Sequence, residues 1–186
     1  MRRTSRGTCM LCQREFGKAA MTRHLEACRQ KAVTEAQAGK PLPSPPSSVF
    51  HLLVQGHFLP MYWLHLDVTA STTLAALDQF LRDIWLECCG HLSAFTIADT
   101  RYVVDEAMMD SWSWRKPSQR VHVPLATVLS PGLVCAYAYD FGSTTELTLK
   151  VLAQREVTGQ TNAIEVLARN VLPITSCNEC CKPATH

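Results

Sequence analysis

The spacing Cys9-x2-Cys12-x11-His24-x3-Cys28 leaves the first 28 residues few ways to fold. A Cys-x2-Cys turn brings two thiols onto one side of a knuckle. A His and a Cys four positions apart lie one helical turn from each other. Together the four offer a tetrahedral set of three sulfurs and one nitrogen, the donor set of a structural zinc site. Phe16 and Leu25 supply the apolar pair that so small a module needs. With almost no core of its own, it would draw most of its folding free energy from the metal. The alternative, four unrelated residues in a disordered arm, fits the specificity of this ligand spacing poorly.

The N-terminus is charged, with Arg2, Arg3 and Arg6, and no apolar segment follows it. It does not read as a secretory leader, and no apolar run approaches the roughly 20 residues of a membrane span. A cytoplasmic location with no membrane partner is therefore expected, where the chain's nine cysteines stay reduced. At 186 residues the chain has room for one ordinary domain with small appendages. Its net charge of +2 conceals an asymmetry. Residues 1–31 hold Arg2, Arg3, Arg6, Arg14, Lys18, Arg23, Arg29 and Lys31 against Glu15 and Glu26, a local +6, so the remainder carries −4. A basic end on a mildly acidic body suggests an electrostatic contact made by the end.

Residues 1–32 form the zinc module in this reading. Residues 33–48 contain Pro41, Pro43, Pro45 and Pro46 among small polar residues, a semi-rigid linker that leaves the module tethered rather than docked. The body spans 49–158. Alternation over Phe50–Gln55 and Tyr62–Thr69 predicts a hairpin turning at Gly56 to Pro60. Leu74, Leu77, Leu81, Ile84 and Trp85 recur at helical spacing, with Ser71, Thr72 or Thr73 available as the cap. Short strands are expected at Leu92–Ile97 and Arg101–Val104, and stronger ones at Leu133–Phe141 and Glu146–Val151. The tail, 159–186, adds a strand at Ile164–Leu167 and a last cysteine group. The class is α+β, a mixed or antiparallel sheet packed by one main helix, with a small N-terminal zinc finger.

Other constellations are weaker. Cys177-x2-Cys180 is half of a second zinc site, which Cys181 or His186 would have to help complete. Cys88, Cys89 and His91 could form a nucleophile pair or a third metal site, but read better as a helix C-terminus with buried thiols and one capping histidine, since no oxyanion site or base-orienting partner is apparent. Met108, Met109, Trp112, Trp114, Arg115 and Lys116 read as a contact surface or, better, as a loop packing on the sheet. Asp140, before Phe141 and Gly142, suits a turn.

The stretches Leu74–Trp85, Cys88–Phe95, Ala138–Leu147 with its Tyr-Asp-Phe-Gly turn, and Leu167–Asn170 before Cys177 and Cys180 resemble the plasmid pRiA4b ORF-3-like family, also seen in proteins of insertion elements. The opening cysteines with Met21-Thr-Arg-His-Leu25 resemble the finger that precedes this domain in some members. The resemblance implies an α+β fold and carries no catalytic residue across. This chain departs from its nearest subgroup where Cys181 replaces a glycine and where the sequence stops at His186, short of a second cysteine pair.

The function expected is that of a zinc-containing, non-enzymatic binding protein. Its finger would touch nucleic acid weakly through Arg2, Arg3, Arg6, Arg14, Lys18, Arg23 and Arg29, and its body would hold a partner. The alternatives are an enzyme with a site on the body near Cys88–His91 or Asp140, and a protein–protein adaptor with a structural zinc arm.

Overall fold

The computed structural model describes residues 5–37, 46–86, 90–103, 118–158 and 162–172. They form ten strands, two helices and one 3-10 turn, an α+β arrangement. The strands are β1 (Arg6–Cys9), β2 (Glu15–Gly17), β3 (Ser47–Gly56), β4 (Trp63–Thr69), β5 (Ser93–Ile97), β6 (Thr100–Val103), β7 (Ser118–Arg120), β8 (Val134–Tyr139), β9 (Thr145–Val157) and β10 (Ile164–Asn170). The helices are α1 (Lys18–Gln37) and α2 (Leu74–Trp85). All strands join one sheet in the order β2-β1-β10-β4-β3-β9-β8-β5-β6-β7. Neighbours are antiparallel except β6 and β7.

The strand period sorts the two faces. From β3 and β4, Phe50, Leu52, Val54, Leu64, Leu66 and Val68 enter one core with Leu74, Leu77 and Leu81 of α2. Thr73 caps α2, its hydroxyl accepting from the Ala76 amide at 3.2 Å, as a β-region N-cap does. Leu81 is fully buried in this core. Leu81→Ala should therefore cost about 3 kcal/mol in denaturant unfolding; a loss near zero would mean that α2 does not pack as described.

Asp78 occupies the same buried stripe of α2, and its charge is met completely. It accepts from Ser93 Oγ (2.5 Å), Tyr137 OH (2.7 Å) and Arg82 Nε (2.8 Å), tying the helix to β5 and β8. Buried carboxylates persist when so paired.

The other face belongs to the N-terminal module, which is docked and not tethered as the linker's composition predicts. Instead β1 pairs with β10 (Gly7↔Asn170, Cys9↔Ala168), so hairpin β1–β2 extends the sheet. Met21 and Leu25 of α1 lie in a second core with Cys9, Trp63, Leu167 and Ala168. The physical reason is Trp63, which alternation turns away from the first core and which α1 covers. Its amide donates to Asn170 Oδ1 (2.9 Å) and its indole to Ser5 Oγ (2.8 Å). Gly7 is required by the same contact: a Cβ there would lie 2.6 Å from the Trp63 ring at Cζ2 and 2.5 Å from the Arg169 carbonyl. The single main helix expected thus becomes two. α1 also runs to Gln37, into the segment read as linker, because 33–37 contain neither glycine nor proline.

Candidate metal centre

The metal-ligating atoms of Cys9, Cys12, His24 and Cys28 lie within 4.8 Å of one another. Cys9 ends β1 and Cys12 closes the knuckle between β1 and β2. Gln13, in the left-handed region at φ 58°, turns the chain there, and its amide donates to the Cys9 carbonyl at 2.8 Å. His24 and Cys28 project from α1 one turn apart.

A tetrahedral zinc with Zn–S of about 2.3 Å and Zn–N of about 2.05 Å requires S···S near 3.8 Å and S···N near 3.5 Å. The structure has Cys9 Sγ–Cys28 Sγ at 4.0 Å and Cys12 Sγ–His24 Nε2 at 3.3 Å. These two pairs are within a few tenths of an ångström of that geometry, and the four residues together could hold such an ion. Burial and the nearby charges of Arg14 and Lys31 lower the His24 pKa, keeping its imidazole neutral and able to coordinate. Its ring stacks on Phe16 with centroids 3.8 Å apart. Burial and the neighbouring thiols push Cys28 up to about 11 without metal, so binding must displace its proton.

The basic residues differ in what they contact. Arg23 is exposed. Arg6 reaches Glu15 at 3.6 Å, and Arg14 lies over Phe16 at 5.5 Å. Lys18 donates to Gln55 Oε1 and to the Pro60 carbonyl (2.8 Å), and Arg29 Nη2 donates to Asp67 Oδ1 at 3.1 Å. Lys18 and Arg29 thus dock α1 on the sheet. Arg2 and Arg3 lie outside the described residues.

So do Cys88, Cys89, Met108 to Lys116, Cys177, Cys180, Cys181 and His186. His91 Nδ1 stands 4.0 Å from Asp140 Oδ1. Asp140 has φ 55°, and the same carboxylate oxygen accepts from the Gly142 amide at 3.0 Å, which accounts for its place in a turn. Cys135 is buried in the first core, which pushes its thiol up to about 12.

Sequence reasoning missed a polar cluster beneath α1. His51 Nε2 and His65 Nδ1 share a hydrogen bond of 2.9 Å, and Asp67 pairs with both Arg29 and Arg155. The available signal was His65 and Asp67 alternating with apolar residues in β4, an inward register on a face that something had to cover.

The fold is similar to that of a protein of unknown function, MM3350 from Methanosarcina mazei Go1, with a TM-score of 0.56 at 15% identity over 66% of this chain and 70% of that one. No protein-family model matches the sequence, and no curated protein does. No helix among the described residues is long and apolar enough to cross a membrane.

Proposed function

We propose that this chain is a zinc-containing, non-enzymatic binding protein whose metal holds α1 on the sheet and whose partner is another protein. The observation that carries the reading is an apolar platform beside the β3–β4 turn. Phe58 is 74% exposed, Leu59 59% and Leu172 46%. They border a depression of about 380 Å³ walled by Tyr62, Trp85 and Leu86. Large apolar side chains clustered in the open mark interaction surfaces, and aromatic neighbours make good anchors. A cytoplasmic setting and the mobile-element association implied by the pRiA4b ORF-3-like resemblance belong to the same proposal.

A second reading keeps the finger as a weak nucleic-acid contact through Arg14, Arg23, Arg2 and Arg3. The exposure of Arg23 favours it; the use of Lys18 and Arg29 in docking α1 weighs against it.

The test is nuclease-treated affinity capture with the wild type and with Phe58→Ser/Leu59→Ser, both checked for zinc, alongside anisotropy with labelled DNA and RNA. The substitution should remove the captured protein, since loss of a hot spot costs on the order of 2 kcal/mol or more. Steeply salt-dependent binding of DNA or RNA, with capture unchanged by the substitution, would put the nucleic-acid reading in its place.

A further inference from the structure

Between α1 and strands β3, β4 and β9 lies a cavity of about 650 Å³. That is within the range of small-molecule sites. Its floor is charged. Arg29 and Arg155 line it, with side chains 14% and 31% exposed, and both pair with the single carboxylate of Asp67, 8% exposed. The two guanidinium groups share that one carboxylate directly, and Glu26 and Glu165 act on Arg29 only through space. The Nε atoms of Arg29 and Arg155 are also buried with no hydrogen-bond partner. A buried charged donor without an acceptor is costly. His51, the remaining titratable group of the floor, is hydrogen-bonded to His65 and adds no acceptor for these donors.

The rest of the cavity selects among anions. Its walls include Val49, Leu152, Ala153 and Leu167, which suit a hydrocarbon body. Glu26, Glu156 and Glu165 are exposed at the opening and would repel a multiply charged anion.

We propose that this cavity binds a small monocarboxylate with an apolar body, its carboxylate beside Arg29 and Arg155 and its hydrocarbon along Leu152 and Ala153. A monoanion meets both guanidinium groups and is repelled less by the rim glutamates than a polyanion would be. A planar carboxylate also matches the guanidinium fork better than a phosphate does. The site is independent of the platform at Phe58 and does not require that reading to hold.

The test uses the full-length zinc-loaded protein and calorimetric titration with hexanoate, hexylammonium and inorganic phosphate. Hexanoate should bind saturably at millimolar concentrations and raise the melting temperature, and the other two should do neither. Arg155→Leu leaves Arg29 and Asp67 as a balanced pair. It should fold, retain zinc and bind hexanoate at least about tenfold more weakly, the loss expected of a charge-assisted hydrogen bond. Ala153→Trp, which blocks the wall proposed for the hydrocarbon while leaving both arginines, should weaken binding at least about tenfold. Hexanoate and hexylammonium binding alike would overturn the proposal, as would phosphate binding preferentially, hexanoate failing to bind, or Ala153→Trp binding it unchanged.

Discussion

Cys12→Ser is expected to remove about one equivalent of zinc per chain and to loosen more than the finger. The four ligands are contributed by the β1–β2 knuckle and α1. Cys9 is also part of the second core, with Met21, Leu25, Trp63 and Leu167. Metal binding supplies on the order of 10 kcal/mol to isolated zinc modules at neutral pH. In this chain a zinc held by these residues would also hold α1 over Trp63 and keep β1 paired to β10. Without the metal the core under α1 loses its clamp, and the Trp63 indole gains access to water. Elemental analysis reads the first effect. The second should appear as a red shift of tryptophan emission and as faster amide exchange at Gly7 and Asn170, while α2, on the opposite face, keeps its protection. Zinc content unchanged in Cys12→Ser would remove Cys12 from the ligand set. Loss of zinc with unchanged exchange at β1 and β10 would show that the sheet pairing holds the module without help from the metal.

What could be read along the chain is what local spacing encodes. Ligands within one knuckle and one helical turn are visible in a single line of sequence, and so is the stripe Leu74, Leu77, Leu81 of α2. Alternation likewise placed β3, β4, β8 and β9, because each has one face in a continuous apolar core. The docking of the module was hidden for the opposite reason. Gly7 meets Asn170 across almost the whole chain, and no local pattern announces a strand pair of that separation. Arg29 looked like one more charge on a basic arm; its partner Asp67 is 38 residues away. The proline run between α1 and β3 suggested independence, yet a linker's composition reports its own stiffness and says nothing about where its ends are held. The traces left by the docking were a buried-register Trp63 followed by His65 and Asp67.

That histidine register leads to the other large expected effect, a loss of stability in mild acid. His51 and His65 are 2% and 0% exposed and share a hydrogen bond. Burial first, and then the positive charge of Arg29, pushes His51 down to about 2 and His65 down to about 4, from an unfolded value of 6.5. The folded protein therefore holds both rings neutral, while the unfolded chain protonates them as soon as pH falls below 6.5. A depressed folded pKa means the stability is fully present above 6.5 and is lost as pH falls toward 4. At pH 5 the two rings together should withdraw on the order of 4 kcal/mol relative to pH 7. Denaturant unfolding at the two pH values measures this, with zinc content followed in parallel because the metal ligands also take up protons. The double variant His51→Leu/His65→Phe separates the two contributions: it retains the zinc site and should show a markedly flatter decline between pH 7 and pH 5. If the variant and the wild type decline in parallel, the acid sensitivity belongs to the metal centre, and the buried histidine pair makes no contribution to it.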